Sequence, residues 1–197
     1  MFSKQLKPVT LSPSTLDDVK GLVDNGDWNK QTSGIKNFKQ QLKIALNKNQ
    51  NGRCVYCERL LVENCPEIEH IAPKSIYPEV QFDLQNLAYA CHRCNFPPHK
   101  ADKDIVENKE GTYSNWSFKI VHPYFDNPAD YFETGRKWYI EIKSSATEKE
   151  KEKARRTIEM FELNKSSMIE ERIKESLWAS FDDDDIKRIL KITTYRT

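Results

Sequence analysis

Apolar residues in the first quarter of the chain recur at helical spacing. They lie three or four residues apart, with lysines between them, and are Ile35, Phe38, Leu42 and Leu46. This pattern predicts an amphipathic helix that ends at the Asn/Gly-rich stretch NQNG. The mixed segment before it predicts one short helix, capped near Ser14, followed by a loop.

Alternation of apolar and polar residues marks the start of the last third of the chain. WSFKIVHPYF and KWYIEIKSS alternate in the manner of strands, and Asn127, Pro128 and Gly135 indicate the connection between them. The segment that follows, residues 145–181, predicts two helices broken near Asn164 to Ser167. The charge run EKEKEKARR within it is typical of a solvated helix face with i to i+4 ion pairs.

Four consecutive aspartates, Asp182 to Asp185, stand before a last apolar pattern, DDIKRILKITT. Such an acidic run can bind a cation. It also suits the first turn of a helix, where negative charge complements the helix dipole. We favour the second interpretation and predict a last helix there.

Length and charge limit the classes of protein to which the chain can belong. Its 197 residues are close to the size of one domain, which predicts one main core with appendages. Charged residues make up 31% of the chain, but the net charge is only +1, which argues against a nonspecific nucleic-acid coat. No apolar run approaches the length of a membrane span, and the first residues lack an apolar signal core. We therefore expect a cytoplasmic protein.

Charge and cysteine content divide the chain into three zones. Residues 1–50 carry eight lysines and four aspartates and are predicted to form a helical lead. Residues 51–110 carry seven basic and ten acidic groups, all five cysteines and three of the four histidines, so we expect the chemistry there. Residues 111–197 carry sixteen charges of each sign and no cysteine, which fits a supporting region of strands and helices.

Two Cys-x-x-Cys pairs lie in the middle zone, and their members are Cys54, Cys57, Cys91 and Cys94. Each pair places two thiolates on one tight turn, and two such turns supply the four ligands of a closed tetrahedral zinc site. A buried thiol or a redox dithiol would explain either pair alone, but two matched pairs favour a structural zinc. The 33 residues between the pairs exceed the usual zinc-ribbon interval, so a folded unit is expected between them. Cys65 has no partner and is predicted to be a free thiol.

The order of motifs around these cysteines resembles the HNH endonucleases of the ββα-metal class, in the variety clasped by four cysteines. The motifs are CVYC, EHIAPKS, QNLAYACHRCN and HK, and they extend from Cys54 to about Asp104. Within this group, IEHIAPKSIYPEVQFDLQNLAYACHRCN is especially similar to the PtuB-like HNH nucleases that accompany ATPases in Septu and retron-associated anti-phage defence systems. A weaker likeness continues through RRTIEMFELNKSSMIEERI.

The resemblance implies an active site between the two cysteine pairs. His70 would be the general base that activates a water molecule, a role that suits a neutral histidine. Glu69 and Asn95 would bind a catalytic Mg²⁺ or Mn²⁺, with His99 as a further metal ligand. Asn86, which matches the middle letter of HNH, would tie the loop together through backbone hydrogen bonds.

The chain departs from the family pattern in three places. Glutamate replaces the commoner aspartate before the histidine. Pro97 and Pro98 stand between Asn95 and His99, so we expect the helix to start at about Asn95 as its cap and His99 to sit less regularly than in the family. The lysine that usually follows the asparagine closely is here Lys100.

Charged neighbours of these residues are expected to assist them. Lys74, Arg93 and Lys100 surround the site and are predicted to meet phosphate oxygens of a nucleic acid. Glu67 lies one pleat from Glu69 on the same strand face and is predicted to be a surface or supporting acid.

Two groups outside the motif have both a structural and a nucleic-acid interpretation. Phe96 and Tyr89 are predicted to be core residues rather than platforms for base stacking. The lysines of residues 1–50 form either a solvated helix face or a DNA contact, and the sequence leaves both interpretations open.

Together these patterns predict an α+β protein in which a zinc-clasped β-hairpin and helix carry the site. The expected activity is metal-dependent cleavage of DNA, with recruitment by a partner ATPase, PtuA-like, implied by the resemblance alone. An RNA-cleaving enzyme of the same chemistry is an alternative. A zinc-finger module that binds nucleic acid or protein without cutting is another, although such a module has no need for an acid-histidine pair.

Overall fold

The computed structural model describes residues 5–61, 66–135 and 138–181. Across these residues helices alternate with antiparallel strand pairs, which confirms the predicted α+β class. The predicted free thiol Cys65, the acidic run and the predicted last helix lie outside the described residues. No described helix has the length and apolar content that a bilayer crossing requires.

Two helices, α1 (Pro13–Asp17) and α2 (Ser33–Asn49), form the N-terminal part. The Thr15 backbone N–H donates a hydrogen bond to the Ser12 hydroxyl, so the cap of α1 lies two residues before the predicted Ser14. A short 3₁₀ turn occupies the segment between the two helices that was predicted to be a loop.

The amphipathic pattern of α2 is confirmed. Its apolar stripe is fully buried and consists of Ile35, Phe38, Leu42 and Leu46. Asn51 and Gly52, just beyond the helix, have positive φ angles of 51° and 66°, which Asn and Gly tolerate better than other residues. This turn brings the chain out of the helix and directly into the first cysteine pair.

The middle of the chain forms a ββα unit. Strand β1 (Glu67–His70) pairs antiparallel with β2 (Leu87–Ala90), and residues 71–86 form the long connection between them. Helix α3 (His92–Asn95) follows β2 after one residue. The two strands and their connection therefore lie between the two cysteine pairs, as the interval between those pairs predicted, and α3 carries the last cysteine.

The boundary predicted for the helix after β2 is wrong. Cys91 is its N-cap and Asn95 its last residue, whereas Asn95 was expected to begin it. Phe96 is extended, as is usual before a proline, and Pro97 has no N–H with which to continue the helix. His99 consequently does not share a helix face with Asn95.

This early helix end also changes the surroundings of Phe96. Its side chain is 51% exposed and packs on His92, with ring centroids 4.2 Å apart, so the prediction that it belongs to the core is wrong. Tyr89, on the buried strand β2, is a core residue as predicted.

Two further strand pairs follow. Strand β3 (Val106–Asn108) pairs with β4 (Ser117–Phe118), and β5 (Phe132–Thr134) pairs with β6 (Ile140–Ile142). The two predicted strands exist in part, as β4 and β6, but they do not pair with each other.

The connection between these strand pairs contains a short helix, α4 (Pro128–Tyr131), which was not predicted. The Asn127 side chain caps it, accepting a hydrogen bond from the Ala129 backbone. Asn127 and Pro128, interpreted from the sequence as connection residues, thus begin a helix.

The two C-terminal helices, α5 (Glu148–Met160) and α6 (Ser166–Ala179), are confirmed, as is the break between them. Asn164 holds this break against β6, because its side chain makes two hydrogen bonds with the Ile140 backbone, of 2.8 and 2.9 Å. Next to it, Phe161 stacks on Tyr56, with ring centroids 4.1 Å apart. The C-terminal part therefore packs against the first cysteine turn.

The exposed face of α5 carries the predicted ion pairs. Lys151 pairs with Glu148 at 2.9 Å and Arg156 with Glu152 at 2.8 Å, one helical turn apart in each case. The charge run is thus a solvated helix face, as predicted.

Candidate active site and metal site

The four cysteines of the two pairs converge under the ββα unit. All four are buried, and their sulfur atoms lie within 4.8 Å of one another. The turn of the first pair closes where the Glu58 N–H donates to the Cys54 carbonyl. In the second pair, Cys91 ends the buried strand and caps α3, which brings Cys94 back on the first turn of that helix.

This donor set fits a tetrahedral metal site of the kind that four thiolates form around a zinc ion. Four thiolates around a divalent ion leave two negative charges, and Arg59 is placed to offset part of them. Its Nη2 donates to the Cys91 sulfur at 3.8 Å. The four ligands leave no position for a substrate, so the cluster fits a structural role.

A cleft opens on the other side of β1. Among its lining residues are four that the sequence predicted for the site, namely Glu69, His70, Lys74 and Asn95. Asp102, which the sequence did not single out, lines the cleft as well. The cleft thus joins a carboxylate, an imidazole and an amide in one place.

His70 is held at the end of β1 by contacts on two sides. Its Nε2 donates to the Gln81 carbonyl oxygen at 3.1 Å, and its ring meets Trp28 edge-on, with centroids 4.4 Å apart. Burial, assisted by the positive charge of Lys74, holds the pKa of His70 well below its usual value. The imidazole is therefore neutral near pH 7, with Nδ1 as its basic nitrogen.

Glu69 has one carboxylate oxygen engaged. Its Oε1 accepts from the Tyr56 hydroxyl and lies 3.0 Å from the Lys100 ammonium. Burial raises the pKa of this carboxyl, while Lys100 and the Tyr56 hydroxyl oppose the rise. The backbone N–H of His70 also interacts with this carboxylate and opposes the rise. Tyr56 and Lys100 both contact Oε1, which leaves Oε2 as the potential metal ligand.

Lys100 lies inside the protein rather than on a nucleic-acid surface. Its side chain is fully buried, and its ammonium bonds the backbone carbonyls of His70 and Ala101 as well as Glu69. These contacts fix the carboxylate and the end of β1. A phosphate could contact the Lys100 ammonium only if the ion pair between Lys100 and Glu69 were broken.

Asn95 meets Glu67 across the ββα unit. Its Nδ2 donates to one oxygen of Glu67 at 2.7 Å, and the other oxygen of Glu67 contacts His92 Nδ1 at 2.8 Å. The amide of Asn95 is thereby oriented with Oδ1 free of hydrogen bonds among the described residues. Glu67, interpreted from the sequence as a surface or supporting acid, has a supporting contact here.

Asn86 lies fully buried beneath the connection between β1 and β2. Its side chain accepts from the Ala72 N–H at 2.7 Å and donates to the carbonyls of Ala72 and Val80. It also accepts from the Tyr113 hydroxyl at 2.7 Å. These bonds close the connection on itself directly behind His70.

A buried histidine extends this network. His122 Nδ1 accepts from the Tyr124 N–H, so its Nε2 is the protonated nitrogen that donates to the Tyr113 hydroxyl at 3.1 Å. Burial holds the pKa of His122 well below its usual value, which keeps the ring neutral in this arrangement. The hydrogen bonds that hold Asn86 in place therefore involve residues well outside the motif.

Arg93 and His99 contact the C-terminal part of the chain. Both approach Glu162, Arg93 Nη2 at 2.9 Å and His99 Nε2 at 3.3 Å, and Arg93 also donates to the Phe161 carbonyl. His99 Nδ1 is buried without a hydrogen-bond partner among the described residues, so this ring keeps one uncommitted nitrogen. Neither residue lines the cleft with Glu69 and His70.

Sequence reasoning missed the residues that hold this site from other parts of the chain. Gln81 accepts from the Trp28 N–H at 3.1 Å and donates to the Asp24 carbonyl, which docks the N-terminal segment beside His70. Tyr113 supports Asn86, and Glu162 binds Arg93. No motif or spacing marks these residues, because each acts through a contact with a distant part of the chain.

Comparison with known proteins places this geometry in a family. Residues 54–100 match the family model described as HNH endonuclease, so this segment is an HNH endonuclease domain and the predicted resemblance is confirmed. The matched segment begins at the first cysteine and ends at Lys100. With the four-cysteine cluster, the described fold fits a zinc-bound ββα-metal finger.

Three curated proteins are similar over longer segments. The chain is 34% identical to Septu protein PtuB of Bacillus thuringiensis over 47% of its length and 29% identical to Septu protein PtuB of Bacillus mycoides over 68%. It is 26% identical to the Retron Vc95 putative HNH endonuclease of Vibrio cholerae over 72%. The aligned parts span 32%, 50% and 66% of those proteins, respectively.

Proposed function

We propose that this protein is a metal-dependent endonuclease that hydrolyses phosphodiester bonds of DNA, with His70 as its general base. The observation that carries the proposal is the cleft of an HNH domain in which a neutral histidine, a carboxylate and an amide come together. Phosphodiester hydrolysis needs a base for the attacking water and positive charge on the phosphate. The histidine can provide the base, and the carboxylate and the amide can hold the metal ion that would supply the charge.

His70 acts through its Nδ1. The Nε2–H is committed to the Gln81 carbonyl, which fixes both the tautomer and the orientation of the ring. Nδ1 then accepts the proton of a water molecule that attacks the phosphorus. Because the imidazole is already neutral at physiological pH, no proton has to leave it before the reaction.

Glu69 Oε2 and Asn95 Oδ1 would hold the catalytic Mg²⁺ or Mn²⁺, since oxygen donors suit both ions. When bound, the ion supplies positive charge to the scissile phosphate and to the leaving oxygen. Lys100 and Tyr56 keep the other oxygen of Glu69 in place. His99 would join as a further ligand only if its ring turned Nδ1 toward the cleft, because Nε2 faces Glu162 and His99 does not line the cleft.

The four cysteines would hold a structural zinc that joins the two ends of the HNH domain. The similarity to Septu and retron proteins supports a role in anti-phage defence, in the cytoplasm, with a partner ATPase that recruits the nuclease. Recruitment predicts that the isolated chain cuts DNA less efficiently than it does together with the co-encoded ATPase. Equal efficiency with and without that ATPase would remove this part of the proposal.

Incubation of purified protein with supercoiled plasmid tests the activity. We expect nicked or linear DNA in the presence of Mg²⁺ or Mn²⁺. The plasmid should stay intact without added metal, or after the protein has been exposed briefly to an excess of chelator. Zinc content is measured before and after chelation, so that loss of the structural ion is not mistaken for loss of catalytic metal. A non-cutting binding module would shift the plasmid in a gel without cleaving it, and preference for a matched RNA would indicate the RNA-cleaving alternative.

Glu67 provides a test of the proposed metal ligands. Glu67→Ala is expected to raise the Mg²⁺ concentration needed for half-maximal cleavage by about 10–100-fold, since the amide of Asn95 loses the acceptor that orients it. Glu67→Gln retains an acceptor oxygen for Asn95 Nδ2 and is expected to stay near the wild-type value. The measurement is a Mg²⁺ titration of plasmid cleavage.

A second acid serves as the matched control for Glu67. Glu79 also pairs with a basic partner, Lys109, but does not line the cleft. Glu79→Ala should leave the Mg²⁺ requirement unchanged. An unchanged requirement in Glu67→Ala as well would show that Asn95 is not positioned by this contact.

A further inference from the structure

Helix α2 carries an unusual distribution of charge. Over its 17 residues it has four lysines and no acidic residue. Three of them lie within an arc of about 60° around the helix at 3.6 residues per turn, and are Lys36, Lys39 and Lys43. We refer to these three as the lysine edge. They flank the apolar stripe that anchors the helix in the core.

The lysine edge lacks the ion pairs that the basic residues of α5 form. All five basic residues of α5 lie within ion-pair distance of an acid. No residue of the lysine edge does so among the described residues, and the ammonium of Lys39 bonds only the Trp28 carbonyl. Asp18 approaches α2 at Asn37, about 100° or more around the helix from the three lysines.

The lysine edge lies next to the cleft that holds His70. The Lys39 ammonium is 4.5 Å from the centre of the Trp28 ring, and that ring is 4.4 Å from the His70 ring. Lys74, which lines the cleft, has neither an ion pair nor a hydrogen bond within the described residues. Burial, together with the positive charges of Lys74 and Lys43, lowers the pKa of Lys39, as expected for a cluster of like charges.

We propose that the lysine edge of α2, continued by Lys74, binds the phosphate backbone of DNA and leads it into the His70 cleft. The inference rests on the proposed function and adds the surface that holds the substrate. A row of cations without acidic partners is electrostatically unfavourable until a polyanion neutralises it. Duplex DNA offers phosphates along both strands, so several lysines of one helix face can be neutralised together.

The same observations decide against a merely solvated helix face. In α5 this chain builds a solvated face from alternating acids and bases in mutual contact, whereas α2 uses one sign of charge only. They also reassign the predicted phosphate contacts. Lys74 keeps that role, whereas Lys100 is buried against Glu69 and Arg93 is engaged by Glu162.

The test compares two double variants that each remove two positive charges. Lys36→Gln with Lys43→Gln changes exposed residues of the lysine edge and leaves Lys39 on Trp28. Lys149→Gln with Lys151→Gln removes the same charge from α5, where both lysines are paired. DNA binding is measured at several salt concentrations in chains that also carry His70→Ala, so that the DNA is not cut during the measurement. Cleavage is measured in chains that keep His70.

We expect the lysine-edge variant to raise KM for plasmid several-fold with kcat at saturating plasmid unchanged. The slope of log binding constant against log salt should fall by about 2, because each substituted lysine releases one phosphate and changes the slope by about one. The α5 variant should match the wild type in both. A lysine-edge variant with wild-type KM and wild-type salt slope would overturn the inference. The lysine edge would then be better explained as a binding surface for an acidic protein partner. Salt-dependent binding through the lysine edge without cleavage by any variant would support the surface and contradict the proposed nuclease activity.

Discussion

Cys91→Ser is expected to abolish zinc binding and unfold the HNH domain. Cys91 is the last residue before α3 and lies beside Cys57, with the two sulfur atoms 3.8 Å apart, so its thiolate joins both cysteine pairs. A structural zinc contributes on the order of 10 kcal/mol to folding, which is comparable to the whole free energy of unfolding of an ordinary domain. Serine is a poor replacement, since its hydroxyl is not deprotonated at neutral pH.

Zinc content and thermal unfolding of the purified chains measure this effect. We expect about one zinc per wild-type chain, and little zinc and no cooperative transition at the wild-type temperature in Cys91→Ser. Cys65→Ser is the matched control, because Cys65 is predicted to take no part in the site, and it should retain both zinc and cooperativity. Full zinc content and a wild-type melting temperature in Cys91→Ser would refute the structural zinc site.

The elements that the sequence predicted correctly are those fixed by local pattern. The apolar stripe of α2 repeats over about three turns, and the break between α5 and α6 coincides with a change of pattern at Asn164. Such signals need only neighbouring residues, so they can be recognised without knowledge of the tertiary structure. The ββα unit, in contrast, was implied by the resemblance that its motifs carry.

The elements that were not predicted depend on contacts between distant residues. Strand β4 pairs with β3 rather than with β6, a choice that alternation along one segment cannot reveal. The early end of α3 follows from the conformation of Phe96 before proline, and it moved His99 off the predicted helix face. Helix α4, only four residues long, is too short to leave a periodic signal.

The candidate site divides in the same way. The motif located His70, Glu69 and Asn95, which the structure brings to one cleft. It could not show that Lys100 turns inward to Glu69, because the sequence alone does not indicate which acidic residue a lysine will contact. Nor could it find Gln81, whose carbonyl accepts from His70 and whose side chain joins it to Trp28, 53 residues earlier in the chain.

The largest expected effect on activity comes from His70→Ala, which should lower the rate of plasmid cleavage by about 10²–10⁴-fold, the usual contribution of a general base. The change also removes the ring that packs on Trp28 and bonds Gln81. His70→Gln separates the two effects, because the glutamine amide nitrogen extends as far as Nε2 and can still donate a hydrogen bond to the Gln81 carbonyl, but glutamine has no basic nitrogen. We expect both variants to be inactive and His70→Gln to be the more stable of the two.

Cleavage rates at saturating Mg²⁺ are compared with zinc content and melting temperature for each variant. An inactive His70→Gln with one zinc per chain and a near wild-type melting temperature would assign the loss to the missing base, since packing and the zinc site are then intact. If His70→Gln instead cuts plasmid at the wild-type rate, proton transfer does not pass through His70. The base would then have to be sought among the other groups that line the cleft, of which Asp102 carries the nearest alternative chemistry.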